Sequence, residues 1–487
     1  MAATTPRPEV EAYRLLRAGR YGDALPFAQR AVAGCRVCHP AHGLLASILV
    51  ELGRIKDADA VVEHAAALAT GTADAYDGLA YVSMGLGRHE RSNRLYRRAA
   101  ELSPQTPRFW YNLACSERSL GRLEAAEQAC DRSIGLDAAQ FPSYLLRSEL
   151  RVQTAEHNHA AELRALLARP NLDERAVFFL GYALGKELDD LESFDEAFAW
   201  FDAAARARRS RLEYDVAADE HKLRRIAQAY PLGRRDPPSR LESSAQYVFI
   251  VGLPRSGTTL MERILTGLEG ARSNGETEYF SKSLLAATPA GTGDIFERAA
   301  AADAGAVGAG YVRLANPDAG GGIIIEKLPM NYLYLGAIRR ALPDAKILWV
   351  RRSPLDSCFA MYRTLFAAAY PFSYDVQDLA RYYAAHERLM SHWRELLGED
   401  LHEIVYEDLV ADPARVGERV ARHCNLAWTD AALDIRNNAS ASLTASASQV
   451  RRPIYGTSSG RWRRYQRHLG PLIDALRRRG VALPADA

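Results

Sequence analysis

Cysteine is scarce in this chain, with six in 487 residues. That excludes a disulfide-framework protein and points to the reducing cytoplasm. No sign of charge dominates, since 62 Lys and Arg face 60 Asp and Glu for a formal net charge of +2. A whole-protein nucleic-acid binder or membrane-surface binder is therefore not expected. No apolar run approaches the ~18 residues that span a bilayer. The opening MAATTPRPEVEAYRLL lacks the basic-then-apolar pattern of a secretory signal. What remains is an ordinary globular composition, 48% apolar and 25% charged, long enough for several domains.

The first half repeats. Gly-Arg recurs at Gly19-Arg20, Gly53-Arg54, Gly87-Arg88 and Gly121-Arg122, always 34 residues apart. Small residues keep step at Ala24, Ala58, Ser92 and Ala126, and again at Ala31, Ala65, Ala99 and Ser133. Two helices of about 14 residues and two short turns fill such a period. Glycine in the turn supplies the positive φ that other residues resist. Small residues seven apart share a helix face, so paired helices can approach closely, with Tyr81, Leu86, Tyr111 and Leu113 expected to fill the groove. The segment GRLEAAEQACDRSIGLD (Gly121–Asp137) resembles the tetratricopeptide repeat. A degenerate unit is recognisable at SFDEAFAWFDAAARAR (Ser193–Arg208). The expectation is an all-α tetratricopeptide-like helical solenoid over residues 8–230, with about five to six repeats. Its expected role is a surface for a protein or peptide partner, or for a second copy of the chain as a homodimer. Cys35-Arg-Val-Cys38-His39 matches a c-type haem attachment pattern, but its place in an inter-repeat turn favours two free thiols.

Residues 231–245, PLGRRDPPSRLESSA, break any helix and read as the linker to a second domain, residues 246–487. That domain opens with Tyr247-Val-Phe-Ile-Val251, a buried-strand pattern, then Gly252-Leu-Pro254-Arg255-Ser256-Gly257-Thr258-Thr259-Leu260, then an apolar-periodic helix. Strand, glycine loop and helix make a P-loop-like phosphate cradle, in which backbone N–H groups and the helix dipole face an anion. Thr258 stands where a nucleotide-hydrolysing P-loop has its Lys. Arg255 and three hydroxyls replace it, which suits less charge than a triphosphate. Further strands are expected at Gly322–Glu326, Lys346–Val350 and His402–Tyr406, four in all and parallel.

PRSGTTL resembles the 5′-phosphosulfate loop of sulfotransferases that use 3′-phosphoadenosine 5′-phosphosulfate (PAPS). It is most similar to the tyrosylprotein sulfotransferases and to bacterial sulfotransferases with tetratricopeptide repeats in front. The resemblance spans residues 246–465 and implies the sulfotransferase fold. It implies that Lys327, at the end of a strand, reaches the bridging oxygen and the sulfuryl group. It implies an Arg after the third strand on the 3′-phosphate. Asp356 favours Arg352 for that place, whereas Arg363 favours Arg351. The Ser expected eight residues on is missing, with Phe359 or Ala360 there and Ser357 displaced. Tyr406-Glu407-Asp-Leu matches a segment whose Tyr touches the nucleotide. Ser446, Gln449-Val450, Pro453 and Arg461-Trp462 are similar to a closing loop, which implies that Ser446 and Arg461 contact the 3′-phosphate. Counting from Arg255 without a gap sets Glu276 on the family's catalytic base, with Glu278 in reserve.

The implied reaction is in-line displacement without a metal. Glu276 removes the acceptor proton, and Arg255, Lys327 and the loop N–H groups stabilise the charge that develops. The acceptor hydroxyl is left open between a protein or peptide tyrosine, a sugar and a small molecule. The Ala- and Gly-rich segment 281–320 is expected to wall the acceptor. Two other readings compete: a P-loop nucleotide kinase or hydrolase, and a repeat scaffold whose transferase half is vestigial.

Overall fold

The computed structural model describes residues 7–35, 39–68, 71–233, 243–366, 369–437, 453–454, 456 and 458–487. It parts the chain into two compact units, Met1–Leu150 and Arg151–Ala487.

The first unit is built of helix pairs: α1 (Pro8–Arg17) with α2 (Tyr21–Gly34), α3 (His39–Glu51) with α4 (Ile55–Ala67), α5 (Ala73–Gly85) with α6 (His89–Leu102), and α7 (Pro107–Ser119) with α8 (Leu123–Leu136). A ninth helix, α9 (Phe141–Glu149), follows. Gly19, Gly53, Gly87 and Gly121 hold φ between 70° and 79° at the four intra-pair turns, where a Cβ would be strained. The two rows of small residues are all buried, so the helix axes come close without a cavity. Of the expected groove fillers, Leu113 is buried, but Tyr81 is 68% exposed. Its position falls on the outer side of α5, so it fills no groove. Cys35 is disulfide-bonded rather than a free thiol. Residues 36–38 of the haem-like motif lie outside the described residues.

The compact units part at Leu150, whereas the expected boundary lay at residue 230. Four more helices, α10 (Ala160–Leu167), α11 (Glu174–Asp190), α12 (Phe194–Arg209) and α13 (Val216–Ala229), belong to the second unit. Their bonds explain why. Tyr182 donates to the Tyr362 carbonyl at 3.0 Å, Arg209 pairs with Asp378 at 2.9 Å, and Glu220 pairs with Arg381 at 2.5 Å. α11 and α12 still form a repeat-like hairpin. A Cβ on Gly185 would meet Phe201 at 2.7 Å, and one on Gly181 would meet Ala204 at 3.0 Å. At the turn, however, Glu192 rather than glycine takes φ 61°.

The centre of this unit is a five-stranded parallel sheet of order β2-β3-β1-β4-β5. The strands are β1 (Ala245–Val251), β2 (Ala271–Gly275), β3 (Gly322–Lys327), β4 (Lys346–Arg351) and β5 (Leu401–Val405). β2 was not expected, because ARSNG at a half-buried sheet edge carries no apolar run. α14 (Thr258–Thr266) covers one face, with Met261, Ile264 and Leu265 on Val248, Ile250 and Val350. Phe249, Phe280 and Tyr311 pack together on the other, edge-to-face or tilted. The segment 281–320, expected as an acceptor wall, therefore holds helices, one of which covers the sheet through Tyr311. No described helix is long and apolar enough to cross a membrane.

Candidate active site

The strand order reverses at β1, so a crevice opens beyond the carboxyl ends of the strands. Five of the chemical motifs read from the sequence leave a strand there. β1 runs into the glycine loop, β2 into Glu276, β3 ends on Lys327, β4 leads to Arg351 and Arg352, and β5 to Tyr406.

The loop turns on three positive-φ positions, the third being Gly257 at φ 106°. Gly252 has φ 154°, and Arg255, a non-glycine, has φ 69°. A Cβ on Gly252 would strike the Val350 carbonyl, and one on Gly257 would strike the Tyr406 ring. Gly257 then caps α14, whose first turn begins with Thr258 and Thr259 and leaves N–H groups without intrahelical acceptors. Ser256 is 1% exposed, and its Oγ has no hydrogen-bond partner among the described residues. A buried, unpaired hydroxyl beside free N–H groups fits an oxyanion held in the loop. Pro254 completes the same turn.

Lys327 is 1% exposed, so its ammonium must be paired. Its Nζ donates to Glu276 Oε1 and lies 3.7 Å from Glu262 Oε2. Ser273 Oγ donates to the other Glu262 oxygen at 2.5 Å. Glu262 sits one turn beyond Thr258 on α14, and it was not anticipated. Its i+4 spacing from the loop was the signal that could have found it. Glu276 keeps a third of its side chain exposed. Glu278 instead opens the helix Tyr279–Ala287, and its charge acts on Tyr334. Burial, and then the charge of Glu276, push the Tyr370 phenol up. Tyr370 therefore lies near that carboxylate, in an aromatic group with Phe366 and Phe372. It also holds the left-handed conformation, at φ 56°.

The two candidate arginines part company, because one residue of shift at a strand end changes the face. Arg351 is drawn to Glu403 at 2.6 Å. Arg352 donates to the Arg255 carbonyl at 3.1 Å and to the Ser458 carbonyl, and its guanidinium lies 4.9 Å over the Tyr406 ring. Asp356 ties the same corner together, accepting from the Gly460 and Trp462 N–H groups at 2.7 and 3.2 Å. Ser357 is 3.4 Å from the Arg352 carbonyl.

Arg363 and Arg461 converge on one carboxylate. Asp189 of α11 accepts from Arg363 Nη1 at 2.5 Å, from Arg461 Nη2, and from the Tyr465 hydroxyl at 2.6 Å. Burial alone would raise this carboxyl, but Arg363 and Arg461 outweigh it and hold it below its usual value. Burial and the neighbouring Arg461 push the Arg363 guanidinium down. Asp189 was missed because it lies in the segment read as scaffold. Its place seven residues after Tyr182, on the buried face of α11, was the available sign. Ser446 lies outside the described residues. The structure thus brings Arg255, Ser256, Arg352 and Tyr406 together, pairs Lys327 with Glu276, and sends Arg351 elsewhere. No cluster of three or more metal-ligating side chains occurs among the described residues.

Residues 247–430 match the family model described as Sulfotransferase family, and residues 107–140 match that of the tetratricopeptide repeat. An uncharacterized protein of Aquifex aeolicus (strain VF5) is 28% identical over 354 residues, which cover 69% of this chain. The chain spans only 46% of that relative's length. The sulfotransferase domain from the Synechococcus PCC 7002 olefin synthase is 16% identical, with a TM-score of 0.36 and 52% of this chain and all of that one covered. YrrB, a tetratricopeptide-repeat protein with an unusual peptide-binding site, is 15% identical, with a TM-score of 0.27 and 39% of this chain and 89% of that one covered. By the family models, residues 247–430 are similar to sulfotransferase domains and residues 107–140 to a tetratricopeptide repeat.

Proposed function

We propose that the protein moves a sulfuryl group from PAPS to an acceptor hydroxyl, by direct displacement. The observation that carries this reading is the pairing of buried Lys327 with Glu276 at the mouth of the glycine loop. An activated sulfate ester needs a cation at the oxygen that leaves and a base at the oxygen that arrives. Here the two sit side by side.

In this reading the loop from Gly252 to Thr259 binds the 5′-phosphosulfate, with Arg255 and Ser256 as side-chain donors. Arg352, Arg363 and Arg461 face the 3′-phosphate, since a dianion suits guanidinium forks. Tyr406 lies beneath the nucleotide end of the loop. Glu276 accepts the acceptor proton as the acceptor oxygen bonds to sulfur, and the bond from sulfur to the phosphate oxygen breaks. Lys327 and the loop N–H groups stabilise the departing oxygen and the equatorial oxygens. Glu262 holds Lys327 from a second side, so the ammonium stays in place when Glu276 takes up its proton. The aromatic group of Phe366, Tyr370 and Phe372 near Glu276 favours an acceptor with a flat apolar body, such as a phenol. The repeat unit would bring a protein or peptide partner, and the reaction needs no metal.

The test is transfer of labelled sulfate from PAPS to acceptors in a host extract, run with the wild type and with Glu276→Gln. The variant should bind 3′-phosphoadenosine 5′-phosphate normally and lose at least about a thousandfold in turnover. Near-normal turnover would hand the base to another group, and no labelled product with the wild type would sink the reading.

A further inference from the structure

Three guanidiniums meet at the nucleotide end of the crevice. Arg363 is depressed by both Arg461 and Arg352, so all three lie within electrostatic reach of one another. Among the described residues two carboxylates answer them, Asp356 and Asp189, leaving one positive charge in excess (three minus two). The two acids are not equivalent. Asp356 spends both oxygens on the backbone of residues 460 and 462 and lies 3.8 Å from Arg352. Asp189 spends its oxygens on Arg363, Arg461 and Tyr465, and so occupies the very donors that a phosphate would use. Each guanidinium still has capacity, for Arg offers five N–H donors in a planar fork. Arg352 Nε and Arg461 Nε are buried and have no partner among the described residues. The cluster is therefore built for more anion than it holds.

We propose that Asp189 is an internal anion that competes with the nucleotide's 3′-phosphate for Arg363 and Arg461, and so limits how tightly the spent nucleotide is held. The inference rests on the nucleotide reading above. Asp189 is a positioning residue: it aligns the two guanidiniums while the site is empty and keeps their charges from repelling each other. It also opposes the phosphate when it arrives, because a buried carboxylate near a dianion repels it through a medium of low dielectric. Its helix lies outside residues 247–430. The later helices of the expected scaffold thus tune the transferase site rather than merely precede it.

The experiment uses the full chain. Dissociation constants for 3′-phosphoadenosine 5′-phosphate and for adenosine 5′-monophosphate, which lacks the 3′-phosphate, are measured by calorimetry on the wild type and on Asp189→Asn. The variant should bind the bisphosphate about tenfold tighter or more. Its affinity for the monophosphate should stay within about twofold, and inhibition by the bisphosphate product should strengthen. A purely structural aspartate predicts the opposite sign, weaker binding from a disordered fork. Unchanged or weaker bisphosphate binding, or equal tightening of both nucleotides, overturns the proposal. A wild type that does not distinguish the two nucleotides fails at an earlier point, sinking the nucleotide reading and this inference with it. Should Asp189→Asn not fold, Tyr465→Phe serves. It leaves the carboxylate charge intact and removes its neutral donor, so Asp189 grips the guanidiniums harder. Bisphosphate binding should then weaken by about twofold to fivefold while the monophosphate is unaffected, and no change would overturn the idea.

Discussion

The repeat unit and the unit built on the sheet solve different problems. Through α1 to α8 the same local contest is settled four times, by a left-handed glycine at the turn and two buried small residues on the second helix of each pair. Among the described residues, the main helix contacts there run within a pair or to the neighbouring pair. In the unit built on the sheet the decisive contacts join residues far apart. Lys327 meets Glu276 and Glu262, Arg352 meets Arg255, and Asp189 meets Arg461. A change in the first unit should therefore cost stability locally, whereas a change in the second should cost chemistry out of proportion to stability.

The sharpest break of this contrast is Lys327→Ala. Its Nζ stands where charge develops in the proposed displacement, so kcat should fall on the order of 10²–10³. Binding of 3′-phosphoadenosine 5′-phosphate should change only a few-fold. Glu262→Gln should act in the same direction but more weakly, because it removes one of the two carboxylates on Lys327. Single-turnover kinetics separate the two effects. An unchanged kcat for Lys327→Ala would remove the lysine from the mechanism.

The same contrast explains what could be read from the chain beforehand. The 34-residue period and the strands β1, β3, β4 and β5 were legible, because glycine spacing and apolar runs are local signals. β2 was not, since its edge position buries too little to demand apolar residues. The glycine loop was visible as a motif, and so was the lysine at the end of β3. Which of Arg351 and Arg352 turns towards the loop was not, since adjacent residues leaving a strand differ by a face. The compact units part away from 231–245 because Pro and Arg there mark a break in helix, not a break in packing. The bonds from Tyr182 to the Tyr362 carbonyl, Arg209 to Asp378 and Glu220 to Arg381 keep α11 to α13 with the second unit. Asp189 and Glu262 share a cause: an acid in a helix announces its partner only when the fold brings a cation to it.

A second effect, smaller but still global, concerns Glu326. It is buried on the opposite face of β3 from Lys327, takes a hydrogen bond from Asn331 at 2.8 Å, and has its carboxyl pushed up to about 7 by burial. A folded value above the unfolded one means that the native state holds this proton longer. The stability it contributes is fully present below about pH 4.5 and is lost as the pH rises to about 7, then levels off. The slope is at most about 1.4 kcal/mol per pH unit. Glu326→Gln, which cannot ionise, should flatten that decline and be the more stable protein at pH 8 by about 1–3 kcal/mol. Urea unfolding at pH 5, 6, 7 and 8 measures it. Parallel curves for the two proteins would mean that Glu326 titrates as an ordinary carboxyl.

The smallest expected effects test the repeat side directly. Gly121 and Glu192 occupy the same place in two helical hairpins, each just after a helix and each left-handed, with φ 79° and 61°. One has no Cβ, and the other strains to keep one. Gly121→Ala should destabilise the first unit by about 1 kcal/mol, since a Cβ disfavours that conformation. Glu192→Gly should relieve its turn, but by only a few tenths of a kcal/mol, because the freer unfolded chain offsets much of the gain. Glu192 is largely exposed and only 4.0 Å from Arg464, so the lost ion pair subtracts little. Calorimetric unfolding of the full chain should show the alanine variant moving the transition of the repeat unit alone, without touching turnover. If Gly121→Ala instead moved both units together, the repeats would not be the independent local construction that their period implies.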